Sequence, residues 1–482
     1  MRPKVIILGA GLAGLSLARY LLMRSDLNTD IEIIESKSFV GGLSASFESE
    51  GIVFDFGSHR LHPSAPQFVL DDIKTVLEDD LLKRRRTGRI CLDGRFIVFP
   101  ISLLDAAMHL PFAFVAGMVK DTINGMFIHR TDPPQNFAEA AEHALGRTLC
   151  KSFYFPYARK LWGLDPTEIS TEQASRRISA GNLLQVFRKA VSRTFQQRLS
   201  SSSSFYYPRR GFGQIAKAFA DEIRKMGGNI RLSSSVCGIH LNKNRVSGIS
   251  IASKKNRLQN ETTEIEKLSA DFVFSTIPVN MLVQMIDAGA PERIIQSAAD
   301  LKFRGMLFVC LVLKMQQLTP YDGHYFPNED IIFARISEPK NYSGATEPAG
   351  LTGLCAEIPC NTGDEIWNAP DGEVIERVVD DLQKIGFSVK SFVKTAFIRR
   401  SPNVYPIYDL NFRKNLEELY AYLDGLTGFA TLGRQGLFLH NNVHNSIEVA
   451  YGASECLKSD LQWDAKRWES FRHQAECEVV LD

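Results

Sequence analysis

The chain has 482 residues, 44% hydrophobic and 23% charged, which is the make-up of an ordinary globular protein long enough for two or three domains. Its 56 Lys and Arg against 55 Asp and Glu leave a net charge of +1, so nothing global suggests nucleic acid or another polyanion as partner. Eight cysteines, at 91, 150, 237, 310, 355, 360, 456 and 477, form no C-x-x-C pair and no zinc spacing, and read as reduced core residues of a cytoplasmic protein.

The chain enters a strand at once, Lys4-Val5-Ile6-Ile7-Leu8, so no signal peptide is expected. The strand ends in Gly9-Ala10-Gly11-Leu12-Ala13-Gly14, and a helix follows with Leu15, Ala18 and Leu22 on one face. A second apolar run, Ile31 to Ile34, ends at Glu35, 21 residues after Gly14. This is the dinucleotide-binding βαβ pattern. Gly9 permits the tight turn, Gly11 lets backbone approach a pyrophosphate, and Gly14 lets the helix pack close to the strand. The helix N-terminus offers unpaired N–H groups to phosphate, and Glu35 would accept from a ribose hydroxyl. Gly41-Gly42 follows the acid.

Gly51 to Phe56 reads as a strand running into the turn Gly57-Ser58-His59-Arg60-Leu61-His62. The basic run Lys83 to Arg89 reads as a solvated face or strand edge, and Asp93-Gly94 between apolar alternations as a hairpin turn. From 101 to 199 the pattern is mainly helical. Leu110 to Val119 is too short to span a bilayer and reads as a buried helix rather than a membrane-surface one, so no transmembrane segment is expected. Phe155-Pro156-Tyr157-Ala158-Arg159-Lys160-Leu161-Trp162 is an aromatic corner, and Arg176-Arg177 lies downstream. Ser200 to Ser204 reads as a loop tip.

A helix then runs from about Gly213 to Ile223, with short strands after it that include Val236, and Phe272 to Ser275 reads as a further strand. Met306 to Leu313 is a buried strand. In Ile331-Ile332-Phe333-Ala334-Arg335-Ile336 an arginine sits in an apolar run; buried, it must meet an acid such as Glu338 or an anionic ligand. Tyr405-Pro406 precedes the last segment, where a strand ends at Gly433-Arg434 and a helix starts near Ser446, after His440-Asn441-Asn442-Val443-His444.

The glycine turn, Glu35 and Gly41-Gly42 together resemble the two-dinucleotide-binding-domain flavoproteins, in which the glycine pair runs beside the FAD pyrophosphate. NAD-only enzymes usually lack that pair, so the resemblance implies FAD. The segment from Tyr206 to Ile249 is similar to the second FAD segment of the amine oxidase and protoporphyrinogen oxidase group, which implies backbone near Val236 at the adenine. Gly433, Arg434, Asn442 and Ser446 match that group's flavin-side stretch, with His444 where it often has an acid. Other blocks resemble the UDP-galactopyranose mutase family. His59 and His62 match its Gly-x-His-x-x-His loop, which implies His59 beside the flavin. Tyr157 and Trp162 match its Pro-Tyr-x-x-Lys-x-Trp, whose aromatics stack on uridine, and Arg176 falls where it places a substrate arginine. Arg335 matches the arginine of its Arg-Ile-x-Glu-x-Lys stretch, which grips the diphosphate, and Tyr405 matches an assisting tyrosine.

The resemblance implies an α/β fold. Residues 1–100, 205–285 and 405–482 would form a discontinuous Rossmann-like FAD-binding domain, 101–204 a helical insertion, and 286–404 a mixed-sheet substrate domain. The function implied is that of a mutase acting through reduced flavin N5 on a nucleotide-linked or phosphate-bearing sugar, with His59, Arg335 and Tyr405 as catalytic residues. The alternatives are an FAD oxidoreductase of the protoporphyrinogen or amine oxidase kind, taking a hydride from substrate carbon, and a flavin-free protein like the GDP-dissociation inhibitors. The partners expected are a small-molecule substrate and an external reductant or oxidant.

Overall fold

The computed structural model describes residues 2–92, 94–99, 105, 108–127, 132–177, 204–257, 260–287 and 289–480. At its centre lies a five-stranded parallel sheet in the order Phe429–Thr431, Phe272–Ser275, Lys4–Leu8, Asp30–Ile34, Asn229–Arg231. The first strand is central, with Val5 between Phe272 and Ile31. Val5, Ile6, Ile7 and Leu8 are fully buried, as a strand covered on both faces requires. The helix Leu12–Met23 packs against the helices Gln214–Lys225 and Val443–Cys456. The five strands come from three separate stretches of chain, the arrangement that a discontinuous nucleotide-binding unit requires. Beside them runs an antiparallel meander, Ser234–Asn242, Arg245–Arg257 and Asn260–Ser269.

The second large sheet has seven strands, in the order Val393–Pro406, Phe303–Leu313, Thr352–Cys360, Arg335–Ser337, Gly323–Tyr325, Arg89–Leu92, Arg95–Val98. Phe303–Leu313 is buried at every position, in line with its unbroken apolar run. The strands expected to form a hairpin, Arg89–Leu92 and Arg95–Val98, pair antiparallel, but Arg89–Leu92 also pairs with Gly323–Tyr325. Residues 89–92 and 94–98, grouped by sequence with the first unit, therefore belong to the second sheet: Cys91 and Phe96 join its core, while Ile90, Leu92 and Ile97 pack against Leu110, Leu149 and Phe153 of the insertion.

The insertion is helical where it is described, with helices at Phe112–Phe127, Phe137–Leu145, Phe155–Trp162 and Thr171–Arg177. The serine run from 200 to 203 lies outside the described residues. The helix expected to be buried at 110–119 is instead superficial: Phe112 is 87% exposed, and Val119 and Ile123 are also exposed. Of residues 110–119 only Leu110 and Met118 are buried, so one edge of the helix meets the protein and the rest of its apolar surface is left open. Among the described residues no helix is long and apolar enough to cross a membrane.

Candidate functional site

The nucleotide end is built from backbone. Gly9, at φ +103°, donates its N–H to Ile34 O, which closes the strand-to-helix turn in a conformation that favours glycine. A Cβ on Gly14 would lie 2.0 Å from Gly9 O, so that glycine is required by packing alone. A Cβ on Gly11 would meet nothing within 4 Å. Space is kept in front of Gly11, at the N-terminus of a twelve-residue helix whose first N–H groups have no partner within the helix. Gly41 donates to Ala10 O at 2.7 Å and pairs with Gly11, and Gly42, at φ +55°, would bring a Cβ within 3.3 Å of Gly11 Cα. The two glycine runs thus form one cradle.

Glu35 is buried beside it. Its Oε2 accepts from Ala10 N–H at 2.8 Å and its Oε1 from Lys37 N–H at 2.8 Å. A carboxylate has about four acceptor positions, so capacity for a hydroxyl remains. Ser234 N–H donates to Glu35 O at 2.9 Å, which brings the strand carrying Val236 alongside. On the other side, a Cβ on Gly433 would lie 2.8 Å from Ala13 Cβ, so the last segment also closes on the first helix. Arg434 is spent on backbone: Nη1 donates to Asn441 O at 2.6 Å, and Nε and Nη2 to Val404 O. The closing helix starts at Val443 with Asn442 as its cap, three residues before the start expected at Ser446. Ser446 N–H already donates to Asn442 O, so it is inside the helical ladder; Val443 and His444 carry the orphan N–H groups. The side-chain amide of Asn441 and Nδ1 of His444 are buried without a hydrogen-bond partner. Burial, with His62 adding to it, pulls His444 down to about 4, which keeps it neutral. An open cradle, an unspent helix N-terminus and orphan polar groups at the opposite helix start are what a dinucleotide needs, and the residues fit FAD.

The substrate side is built from side chains. His59 is half-buried, with Nε2–H donating to Leu43 O at 2.8 Å and Phe56 O at 3.0 Å, and its ring lies against Phe212. Burial holds it below its ordinary pKa. The arginine at 335 does meet an acid, but not Glu338, which accepts instead from Leu318 N–H, Thr319 N–H and Thr352 Oγ1–H. Its partner is Glu357, directly opposite on the neighbouring strand: Nε to Oε1 is 2.8 Å and Nη2 to Oε2 is 2.6 Å. Burial opposes the charge on Arg335, but Glu357 and the Tyr405 and Tyr325 phenols hold it firmly protonated. The guanidinium lies 5.8 Å from the Tyr325 ring. Tyr325 continues to Phe99 at 4.7 Å and to Tyr157 at 6.5 Å, so Tyr157 belongs to an aromatic wall reaching Arg335. Tyr405 stacks on His440 at 5.9 Å under the Arg434 guanidinium.

Two expected substrate contacts are placed differently. Trp162 is only 5% exposed and packs edge-on against Phe137 at 5.4 Å, so its face is not open for stacking on a base. Its Nε1 is buried without a partner. Arg176 is also buried, with Nη1 3.5 Å from His440 O and its guanidinium over Tyr408. Both belong to the layer behind His440.

Three groups had not been singled out by sequence. Glu357 carries the same signal as Arg335, a lone charge in an apolar strand, Leu354-Cys355-Ala356-Glu357-Ile358. Arg60, half-buried, reaches Tyr325 and Tyr342 hydroxyls and Asp322 at 3.1 to 3.3 Å. Asp55 accepts from Ser46 Oγ, Tyr207 OH and Phe212 N–H, which joins the strands behind the cradle to the second nucleotide segment; no spacing in the sequence pairs them.

Residues 12–408 match the family described as flavin containing amine oxidoreductase. Over 178 residues the chain is 26% identical to the dTDP-fucopyranose mutase of Escherichia coli, covering 36% of this chain and 45% of that one. Over 258 residues it is 23% identical to the chloroplastic protoporphyrinogen oxidase 1 of Arabidopsis thaliana, covering 48% and 46%. The matched region thus spans under half the length of these relatives. The fold is similar to that of a reduced UDP-galactopyranose mutase crystal structure, with a TM-score of 0.80 at 20% identity, covering 100% of this chain and 98% of that one.

Proposed function

Because the chain belongs to the flavin-containing amine oxidoreductase family, with FAD as cofactor, we propose that it is a flavoenzyme acting on a phosphate-bearing sugar, in the manner of the pyranose mutases it resembles. The observation that carries this reading is the Arg335 site. A cationic amine needs no guanidinium beside it. A diphosphate does, and Arg335 is held there by Glu357 with tyrosines on its other sides.

When bound, FAD supplies N5, a centre able to act as a nucleophile when reduced or to accept a hydride when oxidised. The chain supplies position and charge. Glu357 takes two of the five guanidinium N–H groups of Arg335, Nε and one on Nη2. The edge formed by Nη1 and the remaining Nη2 proton is the one Arg335 offers to a departing phosphate, and a charge-assisted contact there strengthens as negative charge collects on the leaving oxygens. Tyr405, whose phenol helps hold the Arg335 charge, would donate to the same group. The Tyr157, Tyr325 and Phe99 wall offers apolar faces to a base or sugar ring and keeps water from the reacting carbon. His59 is neutral and bonded to backbone, so its role is to hold its turn rather than to move a proton.

The test is a screen of nucleotide sugars with dithionite-reduced and with oxidised protein. Isomerisation only in the reduced state, with no net change in flavin redox state, is the expected outcome. Stoichiometric flavin reduction by a non-phosphorylated substrate would instead make the protein an oxidase of the protoporphyrinogen kind.

A further inference from the structure

Glu357 does more than neutralise Arg335. Its Oε1 also accepts the backbone N–H of Ser58 at 3.0 Å, and its carboxylate lies 3.2 to 3.3 Å from where a Cβ on Gly57 would be. Gly57 has φ +90°, so the turn adopts a shape that leaves room for the carboxylate and suits glycine. The residue after Ser58 is His59, bonded to Leu43 O in the segment directly after Gly41-Gly42. One 3%-exposed carboxylate therefore touches both the guanidinium and the turn that leads back to the glycine cradle. The Arg335 side chain is more open, at 16%, than the Glu357 carboxylate that bridges it to the turn.

Resting on the reading of Arg335 as the anion site, we propose that Glu357 is a positioning residue that couples anion binding at Arg335 to the order of the Gly57–His59 turn. A carboxylate shared between a guanidinium and a peptide N–H divides its charge between them. An anion on the far edge of Arg335 draws on the same cation, so the Glu357 charge is freed to hold Ser58 more firmly. Phosphate binding then tightens the turn that carries His59. The coupling needs no movement of either strand, because Arg335 and Glu357 are opposed in register.

The experiment uses FAD-loaded protein, with inorganic pyrophosphate as the probe, in wild type and Glu357→Gln. Pyrophosphate affinity is read by flavin fluorescence, and the order of residues 57–62 by hydrogen exchange. In wild type, pyrophosphate slows exchange over 57–62. In Glu357→Gln, pyrophosphate binds about threefold or more tightly, because a repelling carboxylate is gone. The turn exchanges faster than in wild type and no longer responds to the anion. A purely structural Glu357 gives a lower melting temperature with unchanged affinity and an unchanged turn response, and that result would overturn the proposal. So would pyrophosphate binding in wild type without any change over 57–62. If wild type binds no pyrophosphate at all, the phosphate reading of Arg335 falls; unequal exchange over 57–62 between the two proteins then still supports the tether, and equal exchange removes it. Should the single variant not fold, the neutral pair Arg335→Gln/Glu357→Gln carries the exchange test at Ser58, because removing both charges spares the core an unpaired one.

Discussion

On the proposed reading the glycine cradle and the Arg335–Glu357 pair both serve an anionic group, yet they obtain positive charge in different ways. The cradle uses peptide N–H groups at a helix start and needs glycines so that backbone can come close; its charge is partial and cannot be titrated. The pair uses a full cation in a buried strand, and it must carry a counter-ion because an unpaired guanidinium there is costly. The first site is therefore encoded in two short glycine runs, 9–14 and 41–42, with Glu35 between them. The second draws on residues 57–59, 325, 335, 357 and 405. A site made of backbone fails through sterics, whereas a site made of side chains fails through charge and drags stability with it.

Two glycines sharpen that contrast most. Gly11→Val should leave the melting temperature of the cofactor-free protein nearly unchanged, because the added side chain points into open space. It should weaken FAD binding by at least roughly 100-fold, about 2.8 kcal/mol, as read by the flavin retained after gel filtration. Gly14→Val should do the reverse, driving a Cβ into Gly9 O and costing about 3 kcal/mol or more of stability. Equal effects of the two on folding would break the division between cofactor glycine and packing glycine.

The next largest effect belongs to the charged site. Arg335→Ala should lower phosphate affinity roughly 10- to 150-fold. It should also cost about 3–5 kcal/mol of stability, because it strands a buried carboxylate on Glu357. Arg335→Lys should recover part of both losses, since an ammonium keeps the charge but not the two-pronged contact. A melting curve paired with nucleotide titration checks this; loss of stability with intact affinity would make the pair structural only.

The smallest effect lies away from both sites. Glu478 is pushed up to about 7 from an ordinary 4.5, by burial first and then by the Glu448 carboxylate. Its folded pKa lies above its unfolded one, so its contribution favours folding below about 4.5 and is lost as pH rises toward about 7. The group is only about half buried, so solvent screening leaves on the order of 1 kcal/mol. Glu478→Gln should flatten the pH dependence of the melting temperature in that window, and a slope unchanged by the variant would assign it to another group.

The amino-acid sequence determined the nucleotide end almost alone, because each requirement there is local: a positive φ at Gly9, a close approach at Gly14, an acid at the end of the next strand. It also marked Arg335, because a charge in an apolar strand demands a partner. It could not say which partner. Glu338 is three residues away and Glu357 is twenty-two, and only the register of two antiparallel strands sets the second one opposite. The same limit applies to the aromatics. Tyr157 and Trp162 lie on one short helix, but packing turns one toward Tyr325 and the other into the core against Phe137. The hairpin at residues 89–98 was legible as a hairpin, whereas the sheet it joins was decided by where its apolar face finds cover. Local backbone needs can be read along a chain. Which side chains face each other depends on how distant segments bury their surfaces, and that is settled only when the whole chain folds.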